Sequence, residues 1–211
     1  MKNVFIATLA TAALTGMAAG SITNGDFSNG SIGWGQYGGA EGPYGVGSAF
    51  GFANDSDAVV AYGTFGGAPN YSGYTQDISG SWNEGDTISF GGQMYIEGNK
   101  ALYGANNSAV QLTFWYGDGT AYGFSVAAGT LDSNSLLETV YDFDLDYVLD
   151  AGAASAVRIS IDFSYVQAEI PAEGVESGAA WATNMYANIT PAPGALALLG
   201  LAGFAGRRRR G

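Results

Sequence analysis

The sequence predicts an all-β protein built as an antiparallel sandwich. Three observations carry this. Glycine is abundant at 34 of 211 residues, and aromatic residues make up 13% of the chain. Short runs of β-branched and aromatic residues alternate with turn clusters through the whole central region. No long window there repeats apolar residues at the 3.6 spacing of an amphipathic helix.

The elements follow in order. Ala58 to Tyr62 reads as a strand, and Thr87 to Phe90 leads on to Met94-Tyr95-Ile96. Val110 to Tyr116 is followed by Gly117-Asp118-Gly119, a hairpin turn, and the return strand is Tyr122 to Val126. Tyr141 to Tyr147, Ala156 to Phe163 and Trp181 to Ile189 complete the set, with a polar loop from Glu169 to Gly178 before the last. The stretch around Asn70, Tyr71 and Tyr74 reads as a Gly/Asn/Tyr-rich loop. About eight to ten strands separated by turns suit a sandwich or jelly roll. No linker, internal repeat or second domain interrupts them.

In the acidic run, Asp142, Asp144, Asp146 and Asp150 invite an EF-hand reading, which the spacing refutes. Tyr147 stands where the loop needs glycine, and Ala153 where it needs the bidentate Glu. Alternation puts Tyr141, Phe143, Leu145 and Tyr147 on one face and the acids on the other.

The ends read as addresses. Lys2, the apolar run Val4 to Met17 and the small residues Ala18, Ala19 and Gly20 form a secretory signal peptide, residues 1–20. At the other end, residues 191–211 join Pro191-Ala192-Pro193-Gly194 to an apolar segment, Ala195 to Gly206, and a basic cluster, Arg207, Arg208, Arg209 and Arg210. The apolar segment falls short of the roughly 20 residues of a full span. The arginines would stay on the cytoplasmic side and halt export. Both ends are expected to be helical. This tail resembles the PEP-CTERM sorting signals of Gram-negative, biofilm-forming bacteria, with Pro-Ala-Pro in place of the usual Pro-Glu-Pro. The resemblance implies export through the Sec translocon and transient membrane association. It further implies processing by an exosortase-type protease, and a destination at the cell surface or extracellular matrix.

Between the addresses, residues 21–190 form one domain's length. All nineteen acids lie here, against only Lys100 and Arg158. Such a surface repels phosphate backbones, so nucleic acid is not an expected partner. The chain has no cysteine and therefore no disulfide framework.

Asn24-Gly25-Asp26-Phe27-Ser28-Asn29-Gly30 with Gly33-Trp34 resembles the opening of carbohydrate-binding-module-like jelly rolls of the galactose-binding-like superfamily. The likeness continues through Tyr62 to Phe65, Pro69 to Ile78, Glu84 to Thr87 and Ala101 to Asn107, and ends in Trp181 to Ile189. Thr183-Asn184 stands where that family often has Asp-Asn.

Sugar binding needs exposed ring faces beside side chains that hydrogen-bond hydroxyls. Asn70, Tyr71, Tyr74 and Gln76 have this composition, as do Tyr95, Tyr103 and Asn106. Trp34, Trp82 and Trp115 are the strongest stackers if exposed, but Trp115 sits in an apolar strand and reads as core. Asn24, Asp26, Asp55 and Asp57 supply oxygens of the kind a structural calcium takes. Turn chemistry explains the same residues.

Catalysis has little support. The chain has no histidine for a triad or imidazole metal site, and no cysteine nucleophile. A carboxylate pair for glycoside hydrolysis is formally open, but the Glu residues are few and scattered. The expectation is a non-catalytic, surface-sorted module that binds extracellular polysaccharide. The alternative is a structural matrix or surface-coat protein. An open groove lined by aromatics would favour the first, and a flat face the second.

Overall fold

The computed structural model describes residues 20–52, 57–63, 70–171 and 177–194. Both expected terminal helices, and residue 55, lie outside these. Eleven strands form among the described residues: β1 (Gly20–Ser21), β2 (Gly35–Tyr37), β3 (Ala40–Tyr44), β4 (Ala58–Tyr62), β5 (Asn70–Asp77), β6 (Thr87–Tyr95), β7 (Asn107–Tyr116), β8 (Ala121–Leu131), β9 (Val140–Val148), β10 (Arg158–Gln167) and β11 (Ala179–Thr190). One helical turn, α1 (Ala151–Ala154), is capped by the Asp150 carboxylate, which accepts from Ala153 N. Among the described residues no helix is long and apolar enough to cross a membrane.

The strands make an antiparallel jelly-roll sandwich. One sheet runs β3-β4-β11-β6-β9, with β1 beside the end of β11. The other runs β2-β5-β10-β7-β8. The middle strand of this second sheet, β10, is set by its alternation. Ile159, Ile161, Phe163 and Tyr165 are fully buried between the sheets. They meet Ile88, Phe90 and Met94 of β6 in one continuous core.

The stretch expected as a loop around Tyr71 and Tyr74 is instead β5, paired residue by residue with β10 from Asn70↔Gln167 to Asp77↔Ser160. Its tyrosines and threonine suit a pleated strand, and glycine at position 73 is what the pairing demands rather than a turn signal. A Cβ at Gly73 would collide with the Phe163 carbonyl and crowd the Tyr37 hydroxyl, and its φ is +152°. The hairpin at Gly117 to Gly119 forms as expected, closed by Gly119 N donating to Tyr116 O at 3.0 Å. Strand β9 keeps Tyr141, Phe143, Leu145 and Tyr147 against the core and its aspartates outside.

In β11 a bulge between Thr183 and Tyr186 changes the inward set. Ala180 and Ala182 face the core before it, and Met185, Ala187 and Ile189 after it. Asn184, at φ +50°, takes the left-handed conformation at the bulge. After β11 the chain is tied back. Ala192 N donates to the buried Asp86 carboxylate at 2.8 Å, and the other Asp86 oxygen accepts from Asn83 N.

Replacing Gly73 by alanine should therefore cost more than the conformational penalty alone. Gly30 is the control, because it has φ +68° but open space around its Cβ position. Gly30→Ala is expected to cost about 1 kcal/mol, and Gly73→Ala several times more. Urea unfolding of the two variants checks this, and equal losses would contradict the packing account.

Candidate functional site

The same alternation that fills the core builds a groove of about 610 Å³ on the outer face of the β2-β5-β10-β7-β8 sheet. Between the buried residues of β10, Asp162 and Ser164 face this groove, with Arg158 at one end and Val166 at the other. Strand β7 behaves alike. Val110, Leu112 and Phe114 fill the core, while Gln111, Thr113 and Trp115 face out. Strand β5 contributes Tyr71 and Thr75, β2 contributes Tyr37, and β8 contributes Tyr122 and Ser125.

Register joins these into rungs. Thr75, Asp162 and Gln111 are cross-strand neighbours. So are Ser160, Thr113 and Ser125, and so are Arg158, Trp115 and Tyr122. Tyr71 stands at the far end opposite Val166. Tyr71 and Tyr122 are 59% and 63% exposed, so each rim carries an open aromatic ring.

The floor is a hydrogen-bonded polar array. The Asp162 carboxylate accepts a short bond from the Thr113 hydroxyl and two longer ones from Ser160 Oγ, both 3.3 Å. Trp115 Nε1 donates to Ser160 Oγ at 3.0 Å, and the Thr113 and Ser125 hydroxyls share a bond of 3.0 Å. The Thr75 hydroxyl sits beside the same carboxylate but is buried without a partner in bonding geometry.

Arg158 is pinned rather than free. Its guanidinium lies 4.3 Å from the centre of the Trp115 ring and its Nη1 donates to Gly119 O at 3.0 Å. Its Nε lies 3.1 Å from Asp77 Oδ1 without the alignment of a hydrogen bond, so that contact is an ion pair only. Arg158 thereby fixes the Trp115 ring in the groove wall.

Burial pushes the Asp162 carboxyl above the ordinary carboxylate range, against the opposing bonds from Thr113 and Ser160 and the Arg158 charge. Burial, and then the Asp162 charge, raise the Tyr37 phenol far above its usual value. Among the lining residues Asp162 is the one acid. The groove therefore sets ring faces beside hydroxyl and carboxylate groups, with its cation already paired.

The residues expected from sequence divide sharply. Tyr71 lines the groove. Tyr74 is fully buried, packed edge-on against Phe27, with its hydroxyl donating to Gly42 O at 3.2 Å. Gln76 is buried and bonds both backbone groups of Thr23. Asn106 is buried, donating to Ser177 O and accepting from Glu169 N. These three face inward because even positions of β5 point to the core and because Asn106 staples two loops. Tyr103 is 37% exposed but lies outside the groove, and Asn70 begins β5 at its end.

Trp115, expected in the core, is a groove wall. The signal was present: Trp115 shares the parity of Gln111 and Thr113, not of Leu112 and Phe114. Ser160, Asp162 and Ser164 are announced in the same way, as the polar members between apolar ones. The predicted hairpin sets Tyr122 beside Trp115, but nothing local announces that Tyr37 joins them.

Of the other aromatics, Trp34 is buried and packs at a tilt against Phe27, ring centres 5.0 Å apart. Trp82 packs on the core and donates to Ala156 O at 3.1 Å. In the expected calcium set, Asn24 Oδ1 accepts from Asn29 N and Asp26 Oδ1 accepts from the backbone and hydroxyl of Ser28. Asp57 offers its carbonyl to the Thr183 hydroxyl. Among the described residues no three acidic side chains gather as a metal site.

No protein-family model and no curated protein matches the chain. Solved structures share its fold. The N-terminal CBM22-1–CBM22-2 tandem domain from Paenibacillus barcinonensis Xyn10C is 13% identical with a TM-score of 0.55, over 82% of this chain and 51% of that one. The enzymatically active domain of bacteriophage CBA120 tailspike protein 4 is 16% identical with a TM-score of 0.51, over 82% of this chain and 22% of that one. The chain thus spans about half of the first and a fifth of the second.

The raised Asp162 carboxyl has a consequence for stability. An unfolded aspartate titrates near about 3.9. Above that value the unfolded chain releases this proton while the folded chain retains it. The native state then binds more protons, and its stability falls as pH rises until the raised folded value is passed. Asparagine cannot titrate. The melting temperature of Asp162→Asn, relative to the parent, should therefore climb with pH from about 4 upward. A pH-independent difference would contradict the account.

Proposed function

We propose that this chain is a non-catalytic binding protein that holds extracellular polysaccharide in the Tyr71–Trp115–Tyr122 groove. The observation that carries the reading is the groove itself: aromatic rings at both rims and on one wall, over a floor of hydroxyls and one acceptor carboxylate. Sugar rings present apolar C–H faces to aromatics and hydroxyl edges to polar groups, so both halves of the surface find partners. A flat, featureless face would have favoured the structural-coat reading. The fold shared with carbohydrate-binding modules supports the same conclusion. The fold shared with a tailspike's active domain supplies no reaction, because sandwiches host unrelated activities.

The polysaccharide is expected to be neutral. Asp162 is an acid, and Arg158 is already satisfied by Trp115, Asp77 and Gly119. A uronate-rich chain would meet a carboxylate without a free counter-charge.

In this reading the flanking segments deliver the domain. The signal peptide sends it through the Sec translocon. The Pro191–Gly194 motif, the apolar segment and Arg207 to Arg210 hold it briefly at the membrane for an exosortase-type protease. The destination is the cell surface or matrix. Calcium enters as a separate proposal, a structural ion that would steady the Asn24–Asp26 end of the fold.

Affinity electrophoresis on gels containing neutral polysaccharides, xylan included, tests the binding, with and without calcium. Trp115→Ala should weaken retardation about tenfold or more, as packed aromatic anchors do, and Tyr71→Ala, at the exposed rim, by less. Tyr103→Ala should leave it unchanged. No retardation on any polysaccharide would leave the structural-coat reading in its place.

A further inference from the structure

A second cavity, of about 690 Å³, lies on the opposite sheet and shares no residue with the groove. It forms where the segment after β3 folds over the outer faces of β4 and β11. Trp181 stacks on Phe50 at 4.3 Å between ring centres, and Tyr44 meets Trp181 edge-on at 5.8 Å. Tyr62 and Val60 complete this apolar wall.

One anion is fixed on the wall. Each oxygen of the Glu41 carboxylate accepts a phenol hydrogen, from Tyr44 at 2.8 Å and from Tyr62 at 2.6 Å. The bonds from Tyr62 and Tyr44 hold its carboxyl below the ordinary range, so it remains charged. Among the described lining residues Glu97 and Lys100 also border the cavity, which makes two carboxylates and one ammonium.

These features select among occupants. A neutral apolar molecule would strip water from Glu41 without replacing it. A sugar could bond Glu41, Glu97 and Ser177, but its remaining hydroxyls would be set against Val46, Phe50, Val60 and Ala179, which bond none of them. An anion is repelled by the local charge. A cation with an apolar body suits this lining: its methyl surface packs on the aromatic and aliphatic side chains, and Glu41 is its counter-ion.

We propose that this cavity is a second binding site, specific for small organic cations of the quaternary-ammonium type, held by Tyr44, Tyr62 and Trp181 with Glu41 as counter-ion. It is independent of polysaccharide binding.

The test uses the full chain with choline and with 3,3-dimethylbutan-1-ol, which has the same shape without the charge. Binding is followed by calorimetry and by the NMR signal of the Trp181 indole N–H. Choline should bind and move that signal, and the alcohol should bind at least about tenfold more weakly. Glu41→Gln should weaken choline by a similar factor and leave the alcohol unchanged. Ala179→Trp should fill the cavity and abolish binding, with melting curves showing both variants folded. Equal affinity for the two probes would overturn the proposal. So would full choline affinity in Glu41→Gln, no response to either probe at millimolar concentration, or xylohexaose moving the Trp181 signal in their place.

Discussion

The architecture depends on the two-residue period of β10 as the middle strand of its sheet. Ile159, Ile161, Phe163 and Tyr165 go to one side and form the centre of the core. Ser160, Asp162 and Ser164 go to the other and form the groove floor. A shift of one residue would bury a carboxylate between the sheets and expose four large apolar side chains. Folding and floor assembly are therefore a single event. The ladders of β10 with β5 and β7 place the Tyr71 rim and the Trp115 wall, and the pairing of β7 with β8 places the Tyr122 rim.

Charge is handled with equal economy. The central region carries nineteen acids, and most of those among the described residues lie at the surface or in turns, where water screens them. Asp162 is the exception that faces the groove while nearly enclosed. Its neighbours are mostly hydroxyls, which stabilise a carboxylate without adding a bulky counter-ion to the floor. The positive charge closest to this network, Arg158, is displaced to the groove's end, where it braces an indole. A mixed aromatic and polar surface results, with its charges satisfied.

The two outer faces of the sandwich differ for a reason that lies in their covers. The β10 face is open, so its half-buried aromatics border solvent. The β11 face is roofed by the segment after β3, and Phe50 and Phe52 pack on Trp181 and Tyr95 to make a small second core. That roof leaves an aromatic-walled cavity instead of a groove. The bulge at Thr183 to Tyr186 lets one strand serve both the main core and this face.

Much of this was readable along the chain. Strand β4 has the bounds that its apolar run announced, and β7 to β11 differ from theirs mainly at the ends. Parity within Gln111 to Trp115 and within Ile159 to Tyr165 carries the inward and outward sets, because side-chain direction in a strand is a local property. Strand β5 was obscured by its glycine and asparagine, whose turn preference is equally local but yields here to pairing with β10. What the sequence by itself determined is the class of fold and the charge of the body. The tertiary structure alone decided which rings meet. Tyr71 of β5 lies far along the chain from the β7–β8 hairpin that carries Trp115 and Tyr122, and only the pairing of β10 between β5 and β7 brings all three to one surface.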